Sequence, residues 1–120
     1  DLTRKSYEEN GMNPPVKTTT MAWFWDLYLT GPADQEDWRA APLRAADLSN
    51  LAPAYVLTAG YDPLRDEGKA YADALAAAGT RCSYSCYEGL IHGFLNMARV
   101  MGQTFEAFDE VAGAIRAALA

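Results

Sequence analysis

The sequence predicts an α/β fold built on a short parallel sheet, and three stretches carry that expectation. "AYVLTAG", residues 54–60, is a mostly apolar run ending in glycine, the pattern of a strand buried on both faces. "RCSYSCYEG", residues 81–89, alternates in the manner of a second strand. Between them Ala70, Tyr71, Ala74, Leu75 and Ala78 form a helical stripe from about residue 65 to 78, and Gly79 is placed as its C-terminal stop. Strand, helix, strand with a connection of about twenty residues is a βαβ unit, so the two strands should run parallel with a right-handed crossover.

The remaining elements follow in chain order. Residues 1–20 are polar and contain Gly11, Asn13, Pro14 and Pro15, which reads as loop with at most a short turn of helix. Met21, Phe24, Trp25 and Tyr28 fall at i, i+3, i+4 and i+7, one face of a helix that ends before Gly31–Pro32. That aromatic face is expected to pack on something. Residues 31–53, rich in Ala, Pro, Asp and Asn, predict an ordered connector with short helical turns. After the second strand, "TFEAFDEVAGAIRAALA", 104–120, places Phe105, Phe108, Val111, Ala112 and Ile115 at helical spacing, a closing amphipathic helix.

Composition narrows the function classes. At 120 residues the chain is one small domain or a piece of one. Ten basic against 16 acidic residues give a net charge of −6 with no basic run, which a phosphate backbone would repel, so nucleic acid is not an expected partner. "MAWFW" and "LYL" are split by Asp26 and fall far short of the roughly 20 apolar residues of a membrane span. The first residues, "DLTRKSYEEN", have neither an initiator Met nor the apolar core of a signal peptide and read as the middle of a longer protein. Cys82 and Cys86 would lie on one strand face about 13 Å apart, too far for a disulfide. With a single His there is no zinc ligand set, and two buried thiols in a reducing cytoplasm are expected.

The chemistry concentrates where the predicted strands end. In a parallel sheet both C-terminal ends share one edge, where open α/β sheets form their ligand crevices. Asp62 follows the first strand in "GYDPLRDEG" and His92 follows the second in "EGLIHGF", so the two loops should emerge side by side. A carboxylate beside an imidazole can hold the Nδ1–H and stabilise the imidazolium formed when Nε2 takes a proton. Gly89 and Gly93 around His92 suit a tightly turning loop. Each residue also has a purely structural reading: Asp62 before Pro63 can start a turn ahead of a helix, and a histidine at a strand end can be a half-buried packing or capping residue.

The runs "DPLRDEGKAYADALAAAGT" and "YEGLIHGF", with "MAWFWDLYL" and "APLRAADLSNLAPAYVLTAGYD" before them, closely resemble the C-terminal half of bacterial esterases of the hormone-sensitive lipase-like family, within the α/β-hydrolase fold. The resemblance implies residues 1–53 as a cap-region segment and connector, and 54–120 as the C-terminal βαβα part of the hydrolase domain. It implies Asp62 and His92 as the acid and base of a Ser–His–Asp mechanism on a small-molecule ester, with no metal or organic cofactor. Such enzymes also need a Gly-x-Ser-x-Gly elbow and a His-Gly-Gly-Gly-type loop, and neither is in this chain. Ser6, Ser49, Ser83 and Ser85 all lack the flanking glycines. The expectation is therefore an esterase portion whose N-terminal half supplies nucleophile and oxyanion hole. The rival is a non-catalytic interaction module, and within enzymes an amide or lactone hydrolase, because acid and base positions do not report the bond attacked.

Weaker expectations complete the reading. Trp23, Phe24 and Trp25 are core or acyl-pocket wall; Asp66 and Glu67 put favourable negative charge at a helix start; Phe94 shields the site or anchors its loop. The strand 81–88 should lie at a sheet edge open to a second copy, giving a homodimer, as relatives in the resembled family do.

Overall fold

β1 (Ala54–Tyr61) and β2 (Cys82–Ile91) pair in parallel as a two-stranded sheet, joined by helix α3 (Arg65–Ala77). The computed structural model describes residues 2–120. Ahead of the sheet come the short helix α1 (Lys5–Asn10), helix α2 (Thr18–Tyr28) and two 3₁₀ turns, Pro32–Glu36 and Pro42–Arg44. After it come a 3₁₀ turn at Phe94–Met97 and the final helix α4 (Gln103–Leu119).

The crossover helix is fixed at both ends and along its face. Gly68 packs so closely on β1 that a Cβ there would sit 2.6 Å from Thr58 Cγ2, and Ala72 and Leu75 are buried beneath it. Gly79, at φ +81°, ends the helix: its N–H donates to the Ala76 carbonyl and the Thr80 N–H to that of Leu75, the paired bonds of a Schellman stop. The opposite face of the sheet carries the core, Ala59, Tyr87, Leu90, Phe94 and Ala107, with the Tyr87 and Phe94 rings 5.3 Å apart.

α1, six residues long, extends the ordered structure into a region expected to be loop with at most a short turn of helix. It docks on the start of α3, where Ser6 and Asn10 are buried against residues 60 to 66. These tertiary hydrogen bonds, and not local propensity, hold so short a helix.

The expectation that the aromatic face of α2 packs holds only in part, and α4 too is covered on one side alone. No residue of α2 is fully buried: on its aromatic face Met21 and Trp25 are half-buried while Phe24 and Tyr28 stay exposed, as does the neighbouring Trp23 at 56%. α4 rests on the sheet side through Thr104 and Ala107, while Phe105, Phe108 and Ile115 face outward. The reason is width. Two strands spaced about 4.8 Å apart present little more than one helix diameter, so each face of this sheet covers about one helix. β1 is likewise buried only at Thr58, Ala59 and Gly60, not along its length.

Candidate active site

The register of the sheet decides which side chains meet at its C-terminal edge. From Ala54 to Ala59, β1 pairs with residues 28 positions later, Ala54 with Cys82 and Ala59 with Tyr87; beyond the irregularity Tyr61 pairs with Ile91, 30 positions later. Continued without a break, the first register would set Asp62 opposite Leu90. The bulge in β2 advances that strand by two residues and sets Asp62 opposite His92 instead. Gly60 makes this possible, because a Cβ there would lie 2.1 Å from the Glu88 carbonyl oxygen. Gly89 lies within β2 at the bulge and not in the loop after it; the loop's turn belongs to Gly93, at φ +74°.

At that edge His92 Nδ1 lies 2.8 Å from Asp62 Oδ2. An ionised carboxylate only accepts, so in that state Nδ1 carries the hydrogen and Nε2 is left with a lone pair. The other carboxylate oxygen, Oδ1, accepts the Leu64 N–H at 2.9 Å, and the Asp62 carbonyl accepts the Arg65 N–H at 3.1 Å. Asp62 thus starts the turn into α3 with one oxygen and holds the imidazole with the other, so its two readings from sequence coexist. Burial is unequal: the Asp62 side chain is 10% exposed and that of His92 37%. A buried acceptor behind an accessible ring leaves the Nε2 edge open to a reacting group.

The pair opens on a cleft of about 650 Å³, whose walls include Trp25, Leu43, Val56, Leu64 and Tyr71. Of the aromatic trio, Trp25 lines this cleft while Trp23 and Phe24 point outward. Glu67 also borders it. Phe94 is buried in the core and its carbonyl accepts the Thr104 hydroxyl at 3.0 Å, so it anchors the loop after His92. Asp66 does more than place charge at the helix start, since its carboxylate accepts the Ser6 N–H and the Arg65 side chain. Cys82 and Cys86 are free thiols, half-buried and not buried, on the face toward α3. Among the described residues no three His, Cys, Asp or Glu side chains cluster as a metal site.

Residues 1–96 match the profile of a family described as the alpha/beta hydrolase fold. The chain belongs to that family. This α/β-hydrolase chain is 46% identical over 98 residues to the carboxylic ester hydrolase LipN of Mycobacterium tuberculosis, covering 81% of this chain and 26% of the relative. It is 35% identical over 113 residues to the ethyl acetate hydrolase of Pseudomonas putida, covering 94% of this chain and 36% of that protein. Its fold superposes with a TM-score of 0.92 on EstE1, a thermostable carboxylesterase cloned from a metagenomic library, at 39% identity, covering 98% of this chain and 40% of that one. The chain therefore spans between about a quarter and two fifths of the length of these relatives. They are esterases by name, in agreement with the resemblance drawn from the "DPLRDEG" and "IHGF" runs.

Two features of the candidate site escaped sequence reasoning. The bulge was signalled by Gly60 and Gly89 inside strand patterns, where glycine marks a bulge or a close backbone approach. The docking of α1 left no signal, because the partners of Ser6 lie about sixty positions away.

Proposed function

We propose that the protein containing this chain is a carboxylic ester hydrolase acting through an acyl-serine, with His92 as base and Asp62 as its orienting acid. The observation that carries the reading is the Asp62–His92 hydrogen bond at the C-terminal edge of a parallel sheet, open to a cleft, in a chain whose relatives are named esterases. His92 Nε2 takes the proton of a serine hydroxyl as it attacks the ester carbonyl, then delivers it to the leaving alcohol. It next takes a proton from water, whose attack releases the acid and regenerates the serine. Asp62 stays ionised and steadies the imidazolium. Residues 54–120 supply these two groups and residues 1–53 a cap-region wall through Trp25. The serine, in a Gly-x-Ser-x-Gly turn, and the oxyanion donors come from a segment N-terminal to this chain.

The test is hydrolysis of short-chain p-nitrophenyl esters by the 120-residue chain alone and together with that segment. The expected result is no turnover alone, and turnover with phosphonate labelling of one serine once the segment is present. Serine-dependent turnover by the chain alone would place the nucleophile among Ser6, Ser49, Ser83 and Ser85 and end the two-part reading. An upstream sequence without the glycine-flanked serine would favour a non-catalytic module.

The free edge of β2 supports a homodimer paired along residues 81–88. Sedimentation should then show a dimer at tens of micromolar. The free thiols Cys82 and Cys86 fit a reducing, cytoplasmic setting, and no helix among the described residues is long and apolar enough to cross a membrane.

A further inference from the structure

Helix α3 begins without a side-chain cap of its own: Leu64, its N-cap, contributes none. The cap comes from sixty residues away. Ser6 Oγ accepts the Asp66 N–H at 3.3 Å while Asp66 Oδ2 accepts the Ser6 N–H at 2.8 Å. This is the reciprocal pair of a capping box, made between two segments instead of within one. The Ser6 hydroxyl also donates to the Pro63 carbonyl at 2.6 Å, and both residues are among the most buried in the chain.

Three further bonds close the frame around the Asp62 turn. Asn10 Nδ2 reaches the Gly60 carbonyl at 3.4 Å, Arg65 Nη1 the same carbonyl at 3.1 Å, and Arg65 Nη2 the Glu9 carboxylate at 2.8 Å. Gly60, Pro63, Arg65 and Asp66, on either side of Asp62, are thus each tied to α1 or to the start of α3. The direction of the Asp62 carboxylate is set by that start, because Oδ1 sits on the Leu64 N–H. A shift of the first turn of α3 therefore rotates Oδ2 away from the His92 ring.

We propose that Ser6 is a positioning residue for the acid–base pair: a cap supplied by a distant segment of the same chain that locks the first turn of α3 and thereby the Asp62 carboxylate on His92 Nδ1. The catalytic meaning of this lock rests on the esterase reading, but the lock itself does not. Ser6 touches neither the ring nor the carboxylate of Asp62 in any hydrogen bond; it acts through Pro63 and Asp66.

The test uses the protein in its full length with ¹⁵N-labelled histidine, the His92 resonances being assigned by their loss in His92→Gln. Ser6→Ala is expected to broaden the downfield Nδ1 proton of His92 and to lower kcat by about fivefold at unchanged KM, the factor for one net hydrogen bond. Leu75→Val, buried in the same helix but remote from its first turn, is the control: it lowers Tm without moving the His92 signal or kcat. Asp66→Ala, at a partly exposed position, removes the other half of the reciprocal pair and should shift the signal in the same direction. It decides the matter if Ser6→Ala does not fold. A Ser6→Ala protein, or failing that Asp66→Ala, that loses Tm yet keeps the His92 signal and kcat would reduce Ser6 to a packing residue and overturn the proposal. Should no form hydrolyse esters, the esterase reading falls, and the Nδ1 signal alone then decides whether Ser6 positions Asp62.

Discussion

The β1–α3–β2 unit and the two outer helices spend their apolar side chains in opposite ways. In the unit, Ala59, Ala72, Leu75, Tyr87 and Leu90 are buried, glycines sit where backbone or side chain presses close, and both ends of α3 are hydrogen-bonded. In α2 and α4, Trp23, Phe24, Leu27, Tyr28, Phe105, Phe108 and Ile115 face outward. Exposed apolar area of this extent marks a surface made to be covered. The difference teaches that the unit's interior is settled by its own contacts, whereas the outer helices carry faces wider than two strands can cover.

The sharpest break of that contrast is chemical. Asp62→Asn keeps the shape of the buried turn but presents an amide to Nδ1 and disturbs the tautomer of His92. By analogy with the serine-protease case it should lower the kcat of the proposed esterase, in the full-length protein, by up to about 10⁴. Steady-state kinetics check it, and a loss below tenfold would remove Asp62 from its proposed role. Trp23→Ala, one of the outward residues, should leave kcat within a fewfold of wild type unless the rest of the protein carries that side chain into the acyl site.

Gly60→Ala probes the unit's interior. The new Cβ would meet backbone, 2.1 Å from the Glu88 oxygen and 2.6 Å from its carbonyl carbon, and no rotamer change can relieve it. Overpacking costs about 1–3 kcal/mol, and a backbone clash belongs at the upper end. Because the bulge that must yield is the one that sets His92 opposite Asp62, kcat should fall with stability. Gly31→Ala, where nothing lies within 4 Å, is the matched control and should change stability by less than about 0.5 kcal/mol. Denaturant melts of the two variants decide whether close approach or glycine content matters.

The same contrast governs what could be read in advance. The βαβ order, the parallel pairing and the stop at Gly79 were legible because hydrophobic period and glycine position are local signals. So was the juxtaposition of the loops bearing Asp62 and His92, since parallel strands must end on one edge. The two-residue advance that aligns those side chains was not read, although Gly60 and Gly89 advertised it. The core reading of Trp23 and Phe24 failed because periodicity shows which face is apolar and not whether anything lies over it. Ser6 was invisible as a cap because a capping box is recognised by a spacing of three, and its partner here is residue 66.

For the outer helices, the decisive comparison is the same substitution in two contexts. Trp23→Ala or Phe105→Ala in the 120-residue chain removes side chains already in water and should cost less than about 0.5 kcal/mol. In the full-length protein, if the remaining sheet and cap cover those faces, the cost should rise to about 3 kcal/mol. Equal small effects in both would mean the faces stay open and would revive the interaction-module reading.

The smallest effect expected separates the unit's packing from the rest by pH. Burial pushes the phenols of Tyr7 and Tyr87 up to about 12, helped at Tyr7 by the charges of Glu67 and Asp62 and at Tyr87 by Glu110. Between pH 10 and about 12 an unfolded chain ionises these tyrosines while the folded chain keeps them protonated, so the unfolded state binds fewer protons and stability falls as pH rises. Their contribution is whole below pH 10 and lost through about pH 12. Phenolate absorbance followed beside circular dichroism should show Tyr7 and Tyr87 titrating only as structure is lost. Tyr7→Phe removes the ionisable group that α1 buries beside the Asp62 turn, and should flatten the alkaline slope while leaving stability at neutral pH nearly unchanged. If the slope persists in full, the tyrosine under α1 is not held as the structure has it, and the docking of α1 on the Asp62 loop would need another support.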